Sequence, residues 1–144
     1  LMSYESLAEG GFATGTMLGS GGFIVMDHTT SIVMNLHTFA RFYHHESCGQ
    51  CSPCREGTGW MEKILHKIIA GHGSLADIDL LWDIQAGIEG KTICPLGDAA
   101  AWPVASAIRH FRQEFEDYIK DPKSVQKFSH YQEKYKNHKT AVQH

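Results

Sequence analysis

The chain has no run approaching the ~18 consecutive apolar residues that a membrane span requires. Ile24 to Met26 is cut short by Asp27, and the later apolar residues are interleaved with charge. No direct membrane insertion is expected, and the chain reads as soluble or at most peripheral. A secretory signal is also missing, because Leu1-Met2-Ser3-Tyr4-Glu5 has no basic segment followed by an apolar one. The start on Leu rather than Met leads us to expect a native N-terminus further upstream. Charge of one sign is not in excess: 13 Lys and Arg against 16 Asp and Glu give a net charge of −3, which excludes a polybasic nucleic-acid binder and an acidic disordered tail. No nucleic-acid partner is expected. Strand signals are scarce, and the ten histidines scatter from His28 to His144 without a repeated ligand spacing.

The residues that are present spell helices. The segment 9–22 holds six glycines and is loop, since glycine costs a helix interior roughly 1 kcal/mol against alanine. Phe23 to Asp27 is short and apolar and reads as one buried strand in need of partners. After Thr29, Thr30 or Ser31, each a capable N-cap, apolar residues recur at Ile32, Leu36, Phe39 and Tyr43, which predicts a helix over about 31–45. A second helix runs from near Arg55 through Met61, Ile64, Leu65, Ile68 and Ile69 and stops at Gly71. Ser74 opens S-L-A-D, a capping-box pattern, and Ile78, Leu81, Trp82 and Ile88 carry a third helix to Gly90. The fourth begins near Asp98 and turns Val104, Ile108, Phe111, Phe115 and Tyr118 inward. It tolerates Pro103 only in its first turn or at a kink. Four amphipathic helices with short connections predict a mainly α protein, a small four-helix bundle. Beyond Asp121-Pro122 the chain is polar, with five lysines between Lys123 and Lys139, and reads as a loosely attached or disordered tail.

Only four cysteines occur, and all of them fit one constellation: C-G-Q-C-S-P-C at 48–54 and Cys94 in T-I-C-P. Three sulfurs at three-residue spacing can wrap one region of a cuboidal iron–sulfur cluster while intervening backbone N–H groups point at its sulfides, and a remote thiolate then closes the site. The second and third helices, as an antiparallel pair, bring Cys94 back to the first three. A structural zinc ion also takes four thiolates, but its usual signature is two separated C-x₂-C knuckles rather than a tandem pair plus one. Disulfides fit poorly in a chain long enough to build its own core and unmarked for secretion. The iron–sulfur reading is preferred. A zinc module that only mediates contacts, and a metal-free bundle with four free thiols, remain as alternatives.

The text H-E-S-C-G-Q-C-S-P-C-R-E-G at 45–57, I-E-G-K-T-I-C-P-L-G-D-A-A-A-W-P at 88–103 and R-H-F-R-Q-E-F at 109–115 resembles the flavoprotein (F) subunit of respiratory NADH:quinone oxidoreductase, complex I. The resemblance extends from about Leu1 to Tyr118. Related diaphorase subunits of NAD-linked hydrogenases and formate dehydrogenases look similar over these residues. The resemblance implies that Cys48, Cys51, Cys54 and Cys94 ligate a [4Fe–4S] cluster that accepts electrons from FMN reduced by NADH. It makes 1–27 the end of a β-grasp-like domain, 28–120 the helical cluster domain and 121–144 a polar tail. It also brings Pro95 and Leu96 near the flavin. Implied partners are other peripheral-arm subunits, including the adjacent iron–sulfur subunit, and the implied location is the cytoplasmic side of a bacterial inner membrane or the mitochondrial matrix side. The family's glycine-rich FMN and NADH segment is absent here, and the glycines at 19–22 do not replace it. The chain is therefore read as the C-terminal piece of an oxidoreductase subunit, inactive on NADH alone.

Among the remaining residues, Arg55 either places positive charge beside the cluster or simply pairs with Glu56. His44 and His45 are expected to be surface or hydrogen-bonded residues without a ligand role. Trp60, Trp82 and Trp102 are expected to pack in the core.

Overall fold

The computed structural model describes residues 24–27 and 30–121. Four helices account for most of them: α1 (Ile32–Glu46), α2 (Ser52–Ile69), α3 (Leu75–Ile88) and α4 (Leu96–Lys120). Each helix packs on its neighbours in the chain, α1 closes the ring onto α4, and α2 also touches α4 across the middle. One core runs through all four, including Val33 and Leu36 of α1, Met61, Leu65 and Ile68 of α2, Ile78 and Leu81 of α3, and Val104, Ile108 and Phe115 of α4. The alternation of chain direction places the end of α1, the start of α2, the end of α3 and the start of α4 at one end of the bundle.

The boundaries follow from local chemistry. Ser31 is the N-cap of α1 and accepts from the Met34 N–H at 3.1 Å. Glu114 of α4 reaches the same helix start, accepting from the Ser31 hydroxyl at 2.6 Å and from the N–H groups of Ile32 and Val33 at 3.2 Å. These donors have no partner inside their own helix, so the contact joins α1 to α4. Gly71 ends α2 at a φ of +80°, where a side chain would be strained. Ser74 and Asp77 form the expected capping box, with the Asp77 carboxylate accepting from the Ser74 N–H at 2.6 Å. Lys67 of α2 donates to both oxygens of that carboxylate at 2.9 Å.

Several expectations need correction. Phe23 lies outside the described residues, and Ile24 to Asp27 form no strand and are exposed, Val25 by 93%. A strand needs a ladder partner, and none exists among the described residues. The polar tail also lies outside them. The buried face of α1 is Val33, Leu36, His37 and Ala40, rotated from the expected stripe, so that Ile32 and Tyr43 only border the core. Pro103 sits in the helical body of α4, beyond the first turn, while the break in helical dihedrals falls at Phe111. Phe111 is accordingly 45% exposed rather than inward. Trp60 and Trp102 are exposed, at 52% and 46%, and only Trp82 packs against the core, with Arg109 stacked 5.3 Å from its ring centroid.

Candidate metal centre

The cysteine end of the bundle is built from two helix starts. Pro53 fits the first turn of α2, where its missing N–H costs nothing and its fixed φ is already helical. The helix therefore begins before Arg55, with Cys51 as its N-cap. Cys51 and Cys54 then lie one turn apart on the same face. Cys48 hangs from the short link between α1 and α2, which turns at Gly49 with a φ of +79°.

Cys94 lies in the turn that leads into α4, whose N-cap is Pro95. That turn is held from several sides. Thr92 donates its hydroxyl hydrogen to the Cys94 carbonyl at 3.0 Å. Gly97 makes room for the Thr92 side chain, since a Cβ there would collide with it. Asp98 accepts from the Gly90 N–H at 2.7 Å, and Trp102 donates its indole N–H to Glu89 at 2.9 Å. The two cysteine segments meet where the Ile93 N–H donates to Cys51 Sγ at 3.4 Å, across 42 positions of sequence.

The thiols are unequally covered. Cys54 is buried, Cys51 is partly covered, and Cys48 and Cys94 are exposed. Ser47 Oγ lies 3.2 Å from Cys54 Sγ. Arg55 pairs with Glu56 at 3.0 Å, the simpler of its two expected roles, and also donates to the Gly49 carbonyl at 2.8 Å, which fastens the cysteine link to α2. His44 sits 3.2 Å from Glu62 and lies against Gly59, and His45 pairs with Glu46 at 3.0 Å. Pro95 is exposed and Leu96 half-buried. Trp60 borders an open cleft of about 460 Å³ between α2 and α3, beside Pro53 and Ile84.

The donor set suits a polynuclear anionic cofactor. Its four cysteines lie in or beside the starts of α2 and α4, whose unpaired N–H groups favour negative charge. The Ile93 N–H donates to Cys51 Sγ, and the Ser47 hydroxyl lies within hydrogen-bond reach of Cys54 Sγ. Among the described residues no three His, Cys, Asp or Glu side chains converge as they would about a single ion. Ser47, Thr92 and Ile93 escaped the sequence reading. Only Ser47, directly before Cys48, carried a local signal, a hydroxyl beside a candidate ligand.

The helical bundle carries its four cysteines at one end. The chain belongs to the family described as the NADH-ubiquinone oxidoreductase-F iron-sulfur binding region, whose model matches residues 34–118. It is 50% identical over 119 residues to the F subunit of the NADH-quinone oxidoreductase of Rickettsia akari (strain Hartford), a match covering 83% of this chain and 27% of that protein. The corresponding protein of Rickettsia typhi (strain ATCC VR-144 / Wilmington) is 48% identical over 120 residues, covering 83% of this chain and 28% of that protein. The chain thus spans about a quarter of the length of these relatives. A solved NAD+-reducing [NiFe]-hydrogenase in its H2-reduced state superposes with a TM-score of 0.63 at 39% identity, covering 66% of this chain and 16% of that one.

Proposed function

We propose that Cys48, Cys51, Cys54 and Cys94 hold one [4Fe–4S] cluster, and that the chain is the cluster-carrying end of an NADH-oxidising flavoprotein subunit. The observation that carries this reading is the Ile93 N–H on Cys51 Sγ, which sets the turn of Cys94 against the start of α2. A bound cluster would supply one-electron redox chemistry between FMN reduced by NADH and a further cluster in a partner subunit. The protein's own task is positional. Cys51 and Cys54 are presented from one helical turn, Arg55 and Gly49 fix the approach of Cys48, and Thr92 fixes that of Cys94. Two helix starts and the Ser47 hydroxyl place positive partial charge around the sulfurs.

In this reading residues 28–120 form the cluster domain, 1–27 end a β-grasp-like domain that precedes it, and 121–144 are a polar tail. Pro95 and Leu96 face the flavin side, and the FMN and NADH sites belong to preceding parts of the subunit. The partners are the other peripheral-arm subunits, among them the adjacent iron–sulfur subunit. The proposed place is peripheral, on the cytoplasmic or matrix side, and among the described residues no helix is long and apolar enough to cross a membrane. The match to an NAD+-reducing hydrogenase supports a second reading, the same electron-transfer role in the diaphorase subunit of such an enzyme.

The test is to purify the full-length subunit without oxygen and to measure iron, sulfide and zinc together with the EPR spectrum after dithionite reduction. About four irons and four sulfides are expected per chain, with a reduced-cluster signal that Cys94→Ser abolishes. One zinc and no signal would instead make the domain a structural zinc module.

A further inference from the structure

The Ser47 hydroxyl is not what closes α1. The α1 terminus is already closed by the Ser47 backbone N–H, which donates to the Tyr43 carbonyl at 3.0 Å. Its hydroxyl is left to bridge the cysteine loop. Ser47 Oγ accepts from the Gly49 N–H at 3.4 Å and lies 3.2 Å from Cys54 Sγ. A thiolate ligand has no hydrogen to give, so with a cluster bound the hydroxyl is the donor and the sulfur the acceptor. Arg55 draws on the Gly49 carbonyl from the outside at 2.8 Å, which holds the loop in the shape that aims this hydroxyl. Cys54 is the buried cysteine of the four, so its sulfur is the one least able to replace the bond with water.

We infer that Ser47, acting through Cys54, sets the reduction potential of the cluster by stabilising its more negative, reduced form. The inference rests on the cluster reading above. Reduction adds one electron, given in the test by dithionite, and moves no proton, because the hydroxyl keeps its hydrogen in both states. Charge-assisted bonds strengthen as the acceptor becomes more negative, and hydrogen bonds to cluster sulfurs are among the factors that set potentials. Removing the bond should therefore make the cluster harder to reduce.

The experiment is an EPR-monitored redox titration of the native, oxygen-free subunit, with iron and sulfide content measured on the same samples. Ser47→Ala should load fully and show a reduced-to-oxidised ratio about tenfold lower at a fixed potential, a shift of about 59 mV to more negative values for one electron. Ser47→Thr keeps the hydroxyl at an extended backbone position that threonine adopts readily, and should titrate like the wild type. A loaded Ser47→Ala cluster with an unmoved potential overturns the inference, as does a Ser47→Thr cluster shifted as far as the alanine variant. Should Ser47→Ala fail to assemble a cluster, the wild type and Ser47→Thr decide. Reduced in D2O, both should show by ENDOR an exchangeable hydroxyl deuteron coupled to the iron, and its absence overturns the inference. A wild-type chain holding zinc or no metal defeats the cluster reading and this inference together, whereas iron-loaded samples with unchanged potential defeat the inference alone.

Discussion

His37 is a polar side chain on the buried face of α1, with its ring centroid 5.6 Å from that of His66 on α2. Burial pushes its pKa from 6.5 down to about 4. Glu62 opposes the shift, while His66 and Arg41 add to it. The folded protein thus keeps His37 neutral where the unfolded chain would bind a proton. Its contribution is complete above pH 6.5, falls as the pH drops through the window from 6.5 to about 4, and levels off below it. A gap of that width corresponds to about 3 kcal/mol at 1.36 kcal/mol per unit. Chemical denaturation across this window should show wild-type stability dropping steeply and His37→Gln dropping less, so that the two curves approach one another toward pH 4. Parallel curves would mean that another group carries the slope. Asp77 acts in a lower window. Burial opposes its ionisation, but the Lys67 and Ser74 hydrogen bonds and the Lys67 charge outweigh that and hold its pKa below 3.8. Its stabilising contribution is present above that value and disappears only as the pH falls through the lowered one.

At the scale of elements, the turn into α4 depends on a residue with no side chain. A Cβ at Gly97 would overlap Thr92, whose hydroxyl ties down the Cys94 carbonyl. Gly97→Ala should therefore push Thr92 away, costing about 1–3 kcal/mol and lowering iron content at purification. Thr92→Ala added to it should relieve the overlap without restoring the tie, recovering stability more than iron. If Gly97→Ala loads iron like the wild type, the turn is more pliable than this packing implies. The four helices were legible because their punctuation is local. Ser31, Gly71, the Ser74 and Asp77 box and Gly90 each act within a few residues, and C-x₂-C-x₂-C with Cys94-Pro95 singled out the proposed site. What was misread has local causes in part and distant partners in part. The start of α2 moved because Pro53 extends the helix backward to Cys51, and the core face of α1 rotated toward Val33 and His37 because α2 and α4 select it. Phe111 turned outward because the helix breaks at that residue. Glu114 caps α1 from more than 80 positions away, a distance at which no spacing rule operates.

The whole molecule separates the fasteners of its two ends. Lys67 with Asp77, and Glu114 with Ser31, tie helices together at the end remote from the cysteines. At the cysteine end, the links include the loop contacts of Arg55, Asp98 and Trp102, the pair of His44 with Glu62, the contact of Ser47 with Cys54 and the bond from Ile93 to Cys51. No cysteine belongs to the apolar core cluster that spans all four helices. Metal binding is folding free energy for a domain whose core is the metal site, but this core is assembled from Val33, Met61, Leu81, Phe115 and their neighbours. Removal of the cluster with a chelator and oxidant should therefore leave most of the far-UV helical signal. Hydrogen exchange should accelerate selectively in residues 47–55 and 89–97, while the second half of α2 and the first half of α3 stay protected. Exchange rising uniformly over all four helices, with the helical signal lost, would show that the cluster and not the apolar core holds the bundle together. Retained protection at the remote end would show that the cluster domain is a prefolded frame, with the electron carrier fixed at its cysteine end.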